Sequence, residues 1–145
     1  KYRGAFSCPW AIIKGEKKTG ITYHYMNERF DDGNIIFQKA IKIINSDTAF
    51  TVYNKLIRLA SENFRLVYNL VVTKRYKGFK QKGQVSYYKR KLPYNGFIDI
   101  KWPIEKIDCF IRAMIFPNKT PAKLILGEKQ YEIENLEQFL KLTKK

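Results

Sequence analysis

The chain reads as α/β: the closing section of an α/β domain over residues 1–73, a basic linker over 74–84, and a small α+β domain over 85–145. Three observations lead there. Apolar residues alternate at period two around 20–26 and 34–44, which predicts two strands. A three- and four-residue recurrence over 48–71 predicts one long amphipathic helix. Composition then switches to glycine and dense charge, the mark of a linker.

Taken in order, Pro9 to Lys14 reads as a short helix, with Pro9 in its first turn and Gly15 closing it. In the strand from Gly20 to Met26, Ile21, Tyr23 and Tyr25 share one face and Thr22, His24 and Met26 the other. Asp31-Asp32-Gly33 is a turn in which Gly33 is expected to take φ > 0. A second strand follows from Asn34 to Ile44, and Ser46 or Asp47 then caps the long helix. Tyr53, Leu56, Ala60, Phe64, Val67 and Val71 are expected to form its buried stripe. Two strands and a helix with no earlier strands fit the end of an α/β domain whose first strands lie upstream. Beyond the linker, Val85 to Tyr88 reads as a strand, Pro93-Tyr94-Asn95-Gly96 as a turn, and Trp102-Pro103 as a helix opening whose buried face is Ile104, Ile107, Ile111 and Met114. Lys123–Leu126 and Gln130–Ile133 form a hairpin around Gly127-Glu128. Leu136 to Leu142 is a terminal helix, with Lys144 and Lys145 frayed.

Composition excludes some classes. A hydrophobic content of 45% argues for a packed fold over disorder, and no apolar run is long enough to cross a membrane. A single histidine excludes a His-rich metal site, and Cys8 and Cys109 have no metal-ligand spacing, so both read as buried free thiols. The net charge of +15 fits a polyanionic ligand. Lysine outnumbers arginine 21 to 7, however, and bidentate phosphate or base contacts favour arginine. Tyr87-Tyr88-Lys89-Arg90-Lys91 interleaves aromatics and cations; on a strand Tyr88 and Arg90 share a face and could hold one nucleotide.

The segment Thr19-Gly20-Ile21-Thr22-Tyr23-His24-Tyr25-Met26, with Phe30-Asp31-Asp32-Gly33 after it, resembles the signature of the folate-dependent formyltransferases, a T-G-V-T-h-H-x-M strand leading to a hydrophobic-Asp-x-G turn. Tyr2-Arg3-Gly4-Ala5, Pro9-Trp10 and Lys14-Gly15-Glu16 upstream, and Gln38, Asp47-Thr48, Asn95-Gly96-Phe97-Ile98-Asp99 and Ile111-Arg112-Ala113 downstream, continue the likeness to about residue 133. The resemblance implies the C-terminal half of a Rossmann-like formyltransferase domain. The family's Asn-x-His motif would lie just before Tyr2-Arg3-Gly4, so the chain is expected to be the C-terminal part of a longer enzyme and inactive alone.

By that resemblance Asp31 is the catalytic aspartate, orienting an imidazole and a proton-relaying water, and the backbone of Arg29, Phe30 and Asp31 walls the pterin pocket of N10-formyltetrahydrofolate. His24 and Arg3 are supporting candidates around it, and Asp32 is a turn residue. Gln81-x-Gly83-x-x-Ser86-Tyr87-Tyr88-x-Arg90-x-x-Pro93 looks like the sugar-directed branch, which makes a nucleotide-linked amino sugar the expected substrate, with Tyr88 and Arg90 binding its nucleotide. A methionyl-tRNA formyltransferase, and a non-catalytic basic module that binds nucleic acid, are the alternatives. A cytoplasmic location and self-association through an exposed sheet edge, as a homodimer, complete the expectations.

Overall fold

The computed structural model describes residues 1–73 and 76–143. Lys74 and Arg75 of the expected linker, and the two terminal lysines expected to fray, lie outside the described residues. The elements are β1 (Arg3–Gly4), α1 (Ser7–Ile13), β2 (Lys18–His24), β3 (Ile35–Lys42), α2 (Ala49–Val72), β4 (Tyr87–Tyr88), a 3₁₀ turn (Pro93–Gly96), α3 (Ile104–Met114), β5 (Ala122–Leu126), β6 (Lys129–Ile133) and α4 (Leu136–Thr143). They make three two-stranded sheets: β1 with β4 in parallel, and the antiparallel pairs β2–β3 and β5–β6. Among the described residues β2 and β3 keep free outer edges, apart from a bridge between Ile35 and Phe79. No described helix is long and apolar enough to cross a membrane.

The ladder of β2 and β3 runs from Lys18 opposite Lys42 to Tyr23 opposite Phe37, then shifts so that His24 faces Ile35. Such a bulge re-aims a side chain. Here it breaks the alternation, so that Ile35 and Ile36 are both buried while His24 turns toward the acidic turn. The hairpin of β5 and β6 closes through Gly127 at φ 60°, and its inward residues Ala122, Leu124 and Ile133 are fully buried.

One core joins the two expected domains. Ile12 and Ile13 of α1, Ala49 and Val52 of α2, Ile107, Phe110 and Ile111 of α3, and Leu124, Ile133 and Phe139 form a single cluster. The boundary expected at 74–84 therefore does not separate two cores. The reason is the packing of α1 onto α3 and the pairing of β1 with β4, contacts between segments too far apart for local pattern to reveal.

The buried stripe of α2 differs from expectation. It is Ala49, Val52, Leu59, Asn63 and Val67, with Leu56 packed beside it, whereas Tyr53, Phe64 and Val71 are exposed. Two apolar stripes run side by side on this helix, and periodicity alone cannot choose between them. The small Ala49 and Val52 win at the N-terminal end, where neither leaves any exposed surface. In α3, Ile104 is likewise exposed, and the fully buried Phe110 takes the central place.

Arg112 fastens α3 to the start of α2. Its guanidinium donates to Asp108 at 2.8 Å and to the Asp47 carbonyl at 2.8 Å. Asp47 is itself buried and accepts from Lys55 Nζ at 2.6 and 2.8 Å, from Thr51 Oγ1 and from the Ile44 amide. Burial pushes its carboxyl up, but the Ile44 amide, Lys55 and Thr51 together outweigh this and hold it below the usual carboxylate range. A depressed folded-state pKa adds stability above the unfolded value and loses it as pH falls through the folded one. Asp47→Asn is therefore expected to cost about 1–3 kcal/mol at pH 7. The deficit should shrink on acidification below about pH 4; urea titrations across that range would show a constant deficit if the charge were irrelevant.

Candidate active site

The turn after β2 is held from three directions. Asp31 sits in the left-handed region at φ 54°, uncommon for a residue with a side chain. Its Oδ2 accepts from the Gly4 amide at 2.8 Å, and Gln81 Nε2 donates to the carbonyls of both Asp31 and Gly33 at 2.9 Å. Arg3 spans the other side, donating to Asp32 Oδ1 at 2.7 Å and to Gln81 Oε1 at 2.5 Å. Arg3 is thus a loop fastener with its side chain 13% exposed, and Asp32 is its ion-pair partner.

Gly33 corrects the expectation about conformation. The left-handed residue is Asp31, not Gly33. Glycine is needed at 33 for space, because a Cβ there would lie 1.6 Å from the Tyr25 carbonyl oxygen. At Gly4 both reasons apply: φ is 87° and a Cβ would meet the Tyr88 oxygen at 2.3 Å. The close β1–β4 approach that follows brings the Gly4 amide within reach of Asp31.

His24 faces the same carboxylate. Its Nδ1 lies 2.9 Å from the Tyr25 carbonyl, which can only accept, so Nδ1 carries the proton in the neutral ring. Nε2 then points its lone pair toward Asp31 Oδ1 at 3.8 Å, beyond direct hydrogen bonding. Both side chains open into a cleft of about 720 Å³, also lined by Tyr2, Arg3, Lys18, Thr22, Gln38 and Lys39. The loop leading into the turn is exposed, with Met26 94% and Phe30 83% accessible and Arg29 also at the surface. Among the described residues no group of three or more His, Cys, Asp or Glu could hold a metal.

The expected pairing of Tyr88 with Arg90 is not what the backbone makes. β4 ends at Tyr88, and the Lys91 amide turns back onto the Lys89 carbonyl at 2.8 Å, which destroys the period-two relation. Tyr88 instead stacks on Trp10 at 4.4 Å and on Tyr2 at 5.8 Å between ring centroids. It forms the wall of a cavity of about 280 Å³ with Trp10, Lys89, Lys91, Leu92, Tyr94 and Asn95. Arg90 is exposed and does not line it. Trp10 Nε1 is buried with no partner among the described residues. Tyr2, donating to Glu16 at 2.7 Å, walls both the main cleft and a smaller cavity that Tyr88 shares, so the two regions adjoin. Gln81, Lys89, Lys91 and Gly4 stood in the stretches the sequence singled out but were given no role of their own there; their proximity in space supplies it.

The α/β scaffold thus holds a carboxylate and an imidazole 3.8 Å apart over an open cleft, two groups able to take up and release protons. Residues 1–67 match the family model for formyl transferase. It is 41% identical over 143 residues to a GDP-perosamine N-formyltransferase of Brucella melitensis biotype 1, a match covering 99% of this chain and 55% of the relative. The chain thus spans about half the length of the curated relatives it matches. An N-formyltransferase from Helicobacter canadensis, solved with folinic acid and dTDP-3-aminofucose, is 28% identical with a TM-score of 0.78, over 88% of this chain and 48% of that one. A 4-N formyltransferase from Francisella tularensis shares the fold with a TM-score of 0.79 at 22% identity, over 92% of this chain and 57% of that one.

Proposed function

We propose that this chain supplies the aspartate-bearing part of an enzyme that moves a formyl group from N10-formyltetrahydrofolate to the amino group of a nucleotide-linked amino sugar. The observation that carries the reading is Asp31, held in a left-handed turn by the Gly4 amide and facing His24 across the main cleft. The identity with a GDP-perosamine N-formyltransferase supports the sugar substrate.

The folate donor supplies a formyl carbonyl open to attack. Met26 and Phe30, exposed on the Asp31 loop, offer apolar surface that fits a flat pterin ring beside the backbone of Arg29, Phe30 and Asp31. The attacking amine must lose a proton, and the carbonyl oxygen gathers negative charge that needs donors. An Asn-x-His motif would provide these groups in the family, and the 145 residues contain none. Asp31 then fixes the tautomer of a base imidazole and stabilises the imidazolium that forms, as a carboxylate does in a hydrolase triad.

The nucleotide is assigned to the cavity between Trp10, Tyr88 and Tyr94, where Lys89 and Lys91 meet its phosphates. Replacing both lysines by alanine should weaken nucleotide-sugar binding about 30-fold or more, at roughly 1–3 kcal/mol for each charge-assisted contact. Folate binding should hold within about twofold. Titration calorimetry checks this, and unchanged nucleotide-sugar affinity would remove the cavity from the reading. Self-association belongs to the same proposal, with the free edges of β2 and β3 pairing two copies. Sedimentation should show a dimer that a proline at Ala40 disperses; a monomer at all concentrations would contradict it.

A further inference from the structure

We infer that Gln81 is a positioning residue for Asp31, and the inference rests on the reading of Asp31 as catalytic. Gln81 lies fifty residues downstream of Asp31, in the irregular segment before β4, and every polar group of its carboxamide is used. Nε2 donates to two carbonyls, those of Asp31 and Gly33, at 2.9 Å each, and Oε1 accepts from Arg3 Nη2 at 2.5 Å. This pattern admits only one orientation of the amide, because carbonyls accept and a guanidinium donates. The segment is placed by its own backbone: Phe79 exchanges both amide bonds with Ile35 at 2.8 and 3.0 Å, which sets Gln81 over the turn at the start of β3.

The need for a clamp follows from the turn itself. Asp31 at φ 54° is held in a conformation costing roughly 1–3 kcal/mol that its neighbours must over-determine. Gly33 cannot shift toward Tyr25 without its backbone colliding, since even a Cβ would stand 1.6 Å from that carbonyl. The Gly4 amide holds one carboxylate oxygen, but only while the turn presents it. Tying the carbonyls before and after Asp32 with one amide group fixes both peptide planes, and with them the direction of the Asp31 side chain. Arg3 completes the clamp by holding Gln81 and Asp32 together.

Two variants separate this from a general packing role. Gln81→Leu removes every polar contact, and the isosteric Gln81→Glu keeps the contact with Arg3 but sets a carboxylate against two carbonyls. In the enzyme that carries this chain, both should lower kcat about 10–100-fold, the scale of an ångström-sized misplacement, with KM for donor and acceptor within about threefold. In an Asp31→Asn background, Gln81→Leu should have no further effect on kcat, because the group it positions is already gone. A full multiplicative loss there, or an unchanged kcat in either single variant, would overturn the inference. The clamp is also read in the 145-residue chain by NMR, without activity. The strong intraresidue amide–Hα cross-peak that a positive φ gives Asp31 should be lost in Gln81→Leu, while the dispersed signals of α3 and β5 persist. Persistence of that cross-peak would refute the clamp, whereas its loss, with the enzyme that carries this chain transferring no formyl group, would uphold the clamp and remove the catalytic reading of Asp31.

Discussion

Asp31→Asn is expected to lower kcat for formyl transfer by about 10⁴-fold, the loss seen when a triad carboxylate becomes an amide. Substrate affinities should remain within a few fold. The asparagine oxygen can still accept from the Gly4 amide, so the turn is kept. Its NH₂ then faces the imidazole side of the cleft, where His24 Nε2 now stands 3.8 Å from a carboxylate oxygen. An amide in that place carries no charge, so it cannot balance the imidazolium that forms on the base imidazole. Steady-state kinetics with both substrates saturated measures the effect. A variant retaining near-full kcat would return Asp31 to the part of a turn residue.

Phe110→Ala carries the largest expected stability loss, about 3–5 kcal/mol for a buried aromatic. Phe110 has no exposed surface, and Trp102 and Tyr94 pack edge-on against it at 5.4 and 5.9 Å. The cluster it centres includes α1 and the start of α2 as well as the hairpin. The loss should therefore be felt in both halves of the chain at once. Amide signals of Val67 and Leu124, followed through a urea titration, should disappear at one midpoint that the substitution lowers equally. Two separate midpoints, with only the Leu124 signal shifted, would mean two independently folding domains.

Much of this molecule was legible from local pattern. Period two at Ile21, Tyr23 and Tyr25 and the Asp-Asp-Gly turn located β2 and β3, and Gly127-Glu128 located the last hairpin, because turn chemistry and alternation are properties of neighbouring residues. The same holds for Pro103 at the mouth of α3. What pattern could not reach was the choice between adjacent stripes. Tyr53 and Phe64 have helical spacing as good as Val52 and Asn63, and only the packing of α1 and α3 decides. Tyr88 and Arg90 shared a face only if the strand ran on, and a turn at Lys89–Lys91 ends it first. Gln81 stood in the stretch that resembles the sugar-directed branch, but its hold on the turn had no local signal, since its partners Arg3, Asp31 and Gly33 are remote in sequence.

The most direct test of the central claim is the choice of acceptor. The enzyme that carries this chain should be given N10-formyltetrahydrofolate with a nucleotide-linked amino sugar, and in parallel with initiator methionyl-tRNA, and the formylated products quantified. Formylation of the sugar amine, abolished by Asp31→Asn and weakened through KM by loss of Lys89 and Lys91, is the predicted result. Formylation of the tRNA alone, or salt-sensitive tRNA binding with no transfer to either acceptor, would contradict it.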